Sequence, residues 1–177
     1  MVNVCVCQAG LGGGSICYTG FMALIYETPN FIIKSAEFSH VYVDRREGGH
    51  IQIRPKVPVS DRTKLSPELA VEYVKLSMVA GEAMKLALGR RGIDVGLINY
   101  QDMGNWMVFK PEGPTLHMQL FGRARDAVKQ KYGDAVSLPH LETGFYDGFE
   151  PLDEGDVREL RAEIERLMQT DKYRGAW

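Results

Sequence analysis

The segment Thr115-Leu116-His117-Met118-Gln119-Leu120-Phe121 alternates polar with apolar side chains. On a strand, that alternation puts Thr115, His117 and Gln119 on one face and Leu116, Met118 and Leu120 on the other. A histidine so placed suits nucleophilic attack at phosphorus. Its unperturbed pKa of about 6.5 leaves the ring neutral near physiological pH, and a backbone carbonyl can hold one ring nitrogen while the other attacks. Attack at an α-phosphate spreads negative charge over the equatorial oxygens, so hydrogen-bond donors have to stand around it beforehand. Gln119, about 7 Å along the strand from His117, carries an amide N–H for those oxygens, and Thr115 on the other side carries a hydroxyl. His117 and Gln119 are the candidate catalytic pair, with water or a second phosphate taking the nucleotidyl group in the second half of the reaction.

The elements that must hold these residues can be read from periodicity and turn chemistry. Strand-like runs occur at Phe21 to Tyr26, Phe31 to Lys34, His40 to Val43, His50 to Arg54, Asp94 to Tyr100, Trp106 to Phe109 and Thr115 to Phe121. The short links with Pro29-Asn30 and Gly48-Gly49 favour antiparallel neighbours. In His50 to Arg54, His50, Gln52 and Arg54 alternate with Ile51 and Ile53, so one face meets the core and the other meets ligand or solvent. Ser66-Pro67-Glu68 opens a helix with a capping serine, an N1 proline and an early acid. Leu69, Tyr73, Leu76, Ala80, Met84 and Leu88 then form its apolar stripe up to Gly89. A charged helix is expected over Arg123 to Tyr132, an irregular aromatic stretch over Pro139 to Pro151, and a second amphipathic helix with Leu160, Ile164 and Leu167 inward. Phe145, Tyr146 and Phe149 form a lid or partner contact, or simply dock on the core. Residues 1–20, with Gly10, Gly12, Gly13 and Gly14, read as a flexible leader. Met22 is a candidate alternative start.

Composition narrows the class. Lys and Arg number 21 against 23 Asp and Glu, a net charge of −2, and 45% of the 177 residues are hydrophobic. That balance suits an ordinary globular domain and lacks the basic footprint of a duplex-binding protein. No run reaches the roughly 18 apolar residues of a membrane span, and the opening residues lack a secretion signal, so no membrane partner and a cytoplasmic location are expected. Cys5, Cys7 and Cys17, three in all, make a disulfide framework unexpected. Their spacing also misses the Cys-x-x-Cys pair usual for zinc, so no metal is assigned. Phe31, Phe38 and Ile25 are candidates for a purine slot or for core. Lys56 and Arg123 are candidate polyphosphate cations or solvated ends. His40 and His140 fall in no motif and read as packing or surface residues.

Four pieces of the sequence, in this order, resemble the histidine triad (HIT) superfamily: Gly49-His50-Ile51-Gln52-Ile53-Arg54-Pro55-Lys56, the helix after Leu65-Ser66-Pro67-Glu68, Ile98-Asn99-Tyr100-Gln101-Asp102-Met103-Gly104-Asn105, and Thr115 to Arg123. The resemblance covers about residues 22–125. It implies that His117 is the nucleophilic middle histidine, and it sets Thr115 and Gln119 where the family has its first and third. Glutamine at the third position is similar to the family's nucleotidyltransferase branch. The resemblance further implies substrate-binding roles for His50 near the nucleotide, for Asn99 at phosphate with Asn105 as a candidate beside it, and for Asp44 as an acceptor of ribose hydroxyls. It calls for a nucleotide substrate, no cofactor and a homodimer.

The expected architecture is α+β and HIT-like, with an antiparallel sheet of about five strands and one long packed helix. The nucleotide-binding domain spans 21–125, with 126–177 as a C-terminal helical extension. The expected activity is hydrolysis of a nucleoside phosphoanhydride or phosphoramidate, such as a dinucleoside polyphosphate or an adenylated amine, through a nucleotidyl-His117 intermediate. Nucleotidyl transfer or phosphorolysis is the alternative that Gln119 favours. Nucleotide binding without turnover is the alternative raised by the two missing histidines.

Overall fold

Every second residue of three neighbouring strands is apolar and buried, and together they make the surface on which the long helix lies. In the computed structural model, which describes residues 5–8, 16–19, 23–37, 40–103 and 107–175, these are Phe31 and Ile33 of β4 (Phe31–Ser35), Ile51 and Ile53 of β5 (His50–Pro55), and Met118 and Leu120 of β7 (Met118–Ala124). With β3 (Leu24–Glu27) and β6 (Val95–Asp102) they form one five-stranded sheet in the order β3-β4-β5-β7-β6, antiparallel throughout. The fold is α+β.

Helix α1 (Pro67–Arg90) begins where the sequence predicts, with Ser66 Oγ accepting from the Leu69 N–H and Pro67 at its start. Its stripe of Tyr73, Leu76, Ala80, Met84 and Leu88 is buried on the sheet. Helix α2 (Glu154–Met168) adds Leu160, Ile164 and Leu167 to the same core, and Tyr173 of α3 (Asp171–Arg174) joins them. Residues beyond 125 therefore share one interior with the sheet. Asp156, fully buried at the start of α2, accepts from both Arg45 and Arg91 and ties that helix to the loop before β5 and to the end of α1.

Several elements differ from expectation. His40 to Val43 is irregular rather than a strand. Val41, Tyr42 and Val43 are all buried, divided between two small clusters, Val41 with Ala36 and Phe149, Tyr42 and Val43 with Phe121. Of the run Trp106 to Phe109, the described residues 107–109 are turn, with Phe109 97% exposed. Arg123 to Tyr132 is not helical. Strand β7 continues to Ala124, and the buried Glu47 carboxylate accepts the N–H groups of Val128, Lys129 and Gln130, drawing them away from helical carbonyls. The aromatic stretch docks, with Phe149 buried and Phe145 and Tyr146 packed edge-on around it. Within the glycine-rich leader, β1 (Cys5–Gln8) pairs antiparallel with β2 (Ile16–Thr19) as a separate sheet. The glycines between them lie outside the described residues.

The β5–β7 pairing depends on a close backbone approach just before β5. Gly48 sits at φ 125°, a conformation that side chains rarely adopt, and the Gly122 N–H donates to Gly49 O at 2.9 Å. A Cβ on Gly122 would overlap the Gly48 carbonyl group. Gly122→Ala is expected to lower unfolding free energy by about 2 kcal/mol or more, because backbone atoms rather than a mobile side chain would have to move. Urea unfolding followed by circular dichroism checks this; a variant as stable as the parent would mean the approach is slack.

Candidate functional site

His117 lies one residue before β7, where the ladder gives way to irregular chain. Its ring is held locally: Nδ1–H donates to the Thr115 carbonyl at 2.8 Å, and its own carbonyl accepts from the Met103 N–H at 3.3 Å. Among the described residues nothing hydrogen-bonds its Nε2, which leaves that lone pair available. Burial pushes the His117 pKa down from the ordinary histidine value, against the Thr115 bond and with help from the Arg54 charge. The ring is thus neutral at pH 7, the form a nucleophile needs. His117 lines a cleft of about 520 Å³, together with Gln119, Gln52, Gln101, Arg54 and Tyr42. Met103, Met107 and Leu138 also line it.

Gln119 also reaches the cleft wall, though only 2% of the residue is exposed. Its Oε1 lies 2.5 Å from His50 Nε2, and His50 is itself buried at 1% exposure. The Tyr42 N–H donates to His50 Nδ1 at 3.4 Å, so the ring proton belongs on Nε2, where it donates to the Gln119 carbonyl oxygen. With its oxygen engaged, Gln119 keeps its NH2 group as the donor that no described residue uses. Burial pushes the His50 pKa down to about 4, and polar contacts with Gln119 and the His40 backbone do not recover it. The Tyr42 and Phe121 rings pack beside it with centroids at 5.5 and 4.7 Å.

The register brings Gln52, Gln119 and Gln101 into one row across β5, β7 and β6, all lining the cleft. Gln101 Oε1 is buried and has no hydrogen-bond partner among the described residues. Continuing the β5–β7 register by one residue sets Arg54 opposite His117. The alternation of His50, Gln52 and Arg54 signals that face in the sequence, but nothing there singles out Arg54. Neither Gln101 nor His40, which also lines the cleft and sits 4.0 Å from Glu37, carries a motif.

The other sequence candidates lie elsewhere. Thr115 lines a second, adjoining cleft rather than the first. Asn99 is two residues further along β6, where its Oδ1 accepts from Arg123 at 3.0 Å. Asp44 caps the turn before β5, accepting from the Arg46 and Glu150 N–H groups at 2.8 and 2.7 Å, and does not line the cleft. Arg123 is 2% exposed and serves the carbonyls of Gln130 and Lys131. Phe31 and Ile25 are core residues beneath α1. Asn105, Gly104 and Phe38 lie outside the described residues.

Solved structures match the fold of this chain, three among them as follows. A Hit-like protein involved in cell-cycle regulation from Bartonella henselae, solved with an unknown ligand, is 15% identical over 80% of this chain and 86% of its own, with a TM-score of 0.50. A hypothetical histidine triad nucleotide-binding protein from Sulfolobus tokodaii is 14% identical over 87% and 90%, at 0.51. A zinc-bound histidine triad family protein from Mycobacterium smegmatis is 18% identical over 84% and 88%, at 0.52. The chain has the HIT-like fold. No protein-family model and no curated protein matches its sequence. Among the described residues of this HIT-like chain, no group of three or more His, Cys, Asp or Glu side chains is placed to hold a metal ion, and no helix is long and apolar enough to cross a membrane.

The buried neutral His50 makes stability depend on pH. Between its folded pKa of about 4 and an unfolded value near 6.5, the unfolded chain binds more protons, so stability is complete above the upper value and falls as acid is added. The expected loss is roughly 3 kcal/mol across that window. Urea midpoints at pH 7.5, 5.5 and 4.5 measure it, and His50→Phe should flatten this part of the slope; an unchanged slope would assign the effect to other groups.

Proposed function

We propose that this HIT-like protein binds a nucleotide in the first cleft and cleaves it at the α-phosphate through a covalent nucleotidyl-His117 intermediate. The observation that carries this reading is the His117 ring itself: neutral, pinned through Nδ1 to Thr115, and with Nε2 unbonded among the described residues, on the wall of a nucleotide-sized cavity. Similarity of fold to a histidine triad nucleotide-binding protein supports it. In the first step Nε2 bonds to the α-phosphorus while the bridging P–O or P–N bond breaks, its electron pair leaving with the departing group. The Gln119 NH2 donates to an equatorial oxygen as charge builds there. In the second step water attacks phosphorus, the N–P bond breaks back to Nε2, and the water proton passes to solvent.

Gln119 favours one variation. A carboxamide has no proton to exchange and cannot activate water as a third histidine could, so inorganic phosphate is an alternative acceptor. Incubation with added phosphate separates the two: a nucleoside monophosphate as product means hydrolysis, and a nucleoside diphosphate means phosphorolysis.

Intact-mass measurement after a rapid alkaline quench should detect a nucleotidyl adduct on the wild type and none on His117→Ala, whose turnover should fall by about a hundredfold or more. Turnover by His117→Ala near the wild-type rate would overturn the mechanism. Nucleotide binding with neither turnover nor adduct in the wild type would leave a non-catalytic binding protein.

The same reading includes a homodimer formed through β6. That strand ends the sheet, and Leu97 and Tyr100 on it are 47% exposed each. An apolar strand edge is self-complementary about a two-fold axis. Sedimentation velocity should give a dimer for the wild type and a monomer for Leu97→Lys; a monomeric wild type would remove this proposal.

A further inference from the structure

The cleft beside His117 does not end at the nucleophile. A second hollow of about 300 Å³ adjoins it, and Arg54 lines both. The two differ in chemistry. The first is walled by glutamines, a tyrosine and methionines, and its acids Glu37 and Asp102 are engaged, Glu37 beside His40 and Asp102 by Arg62 and the Tyr73 hydroxyl. The second has Arg54, Lys56 and Thr115 as its polar walls, no acid among its lining residues, and otherwise prolines and aliphatic side chains. Lys56 is shared with Glu27 on the rim at 2.8 Å. Arg54 is not shared: among the described residues its guanidinium makes no ion pair and no hydrogen bond. It is only partly exposed and stands opposite His117 across the continued β5–β7 register. A partly desolvated guanidinium without a counter-charge, in a hollow free of acids, has the geometry and charge to take phosphate oxygens two at a time.

We propose that this second cleft holds the phosphate chain of the leaving group, with Arg54 clasping the phosphate next to the bond that breaks and Lys56 and Thr115 binding beyond it. The inference rests on the nucleotidyl-His117 reading and selects its substrate class: nucleoside polyphosphates and dinucleoside polyphosphates rather than phosphoramidates with an uncharged amine. The chemistry agrees with the choice. The electron pair of the broken P–O bond stays on a phosphate that is stable as an anion, so no proton has to be delivered by Gln119. An amine leaving group would need that proton.

Tripolyphosphate is the probe, because it tests the cleft without requiring turnover. Calorimetric titration should show it binding equally to the wild type and to His117→Ala, at least about tenfold more weakly to Arg54→Gln, and with an intermediate loss to Arg54→Lys, which keeps the charge but not the two-pronged fork. In turnover, Arg54→Gln should lower kcat/KM for a dinucleoside tetraphosphate at least about tenfold more than for a nucleoside phosphoramidate of a neutral amine. No tripolyphosphate binding by the wild type, undiminished binding by Arg54→Gln, or equal kinetic losses on both substrates would overturn the proposal. Turnover retained by His117→Ala, with tripolyphosphate binding still dependent on Arg54, would instead overturn the nucleophile and leave the phosphate cleft standing.

Discussion

The chemistry of the cleft depends on one long-range pairing, that of β5 with β7. It joins residues about seventy positions apart and sets His50, Gln52 and Arg54 against Phe121, Gln119 and His117 on the face away from α1. A slip of one residue would turn the whole row toward the core and bring Ile51 and Ile53 into the cleft, so the buried apolar set on the other face enforces the functional register. The Gly48–Gly122 approach secures the pairing at its far end, where two backbones pass closer than any side chain allows. Packing beneath the sheet and hydrogen bonding above it therefore select the same alignment.

Above that frame, Gln119 is held from behind by neutral groups. The Tyr42 N–H, the His50 ring and the Gln119 carboxamide make a neutral chain in which each group sets the orientation of the next. Burial keeps His50 uncharged, and this is what makes its Nε2–H a steady donor to Gln119. Two buried carboxylates serve the surrounding chain, Glu47 from the turn before β5 and Asp156 from the first turn of α2. Glu47 gathers three successive N–H groups of the 128–130 segment, and Asp156 holds Arg45 and Arg91. Each closes a loop that a hydrophobic contact would leave slack, because these stretches have few apolar residues to bury.

Periodicity made the sheet and both long helices legible, because burial on one face leaves a repeat of two or of about 3.6 in the residues themselves. The failures came where something other than alternation decided the backbone. Val41, Tyr42 and Val43 have strand-like composition but go inward together, and Arg123 to Tyr132 has helical composition but is claimed by the Glu47 carboxylate, 81 to 83 residues away from the N–H groups it binds. In the site, the alternation around His117 and the His50-Gln52-Arg54 face were visible, since they lie on strands. The resemblance implies Asp44 and Asn99 at a ligand, yet their oxygens are taken by backbone N–H groups and by Arg123, partners that only the folded chain supplies. Arg123 itself has the sequence of a solvated cation and the position of a buried strut.

On the proposed reading, the electrostatic work of the two histidines missing from the triad pattern falls to other residues. A histidine beside the reacting phosphate offers a proton as well as a hydrogen bond, and its charge comes and goes with pH. Gln119 offers the hydrogen bond alone, in an orientation set from behind by His50. Arg54 offers a guanidinium charge. An active centre built from those two parts can stabilise negative charge that is already present or that develops on oxygen, but it has little means of completing a leaving group that needs a proton. On the proposed reading, the same exchange of residues that departs from the triad also restricts the chemistry to anhydrides between phosphates, where the departing anion needs only a cation to receive it.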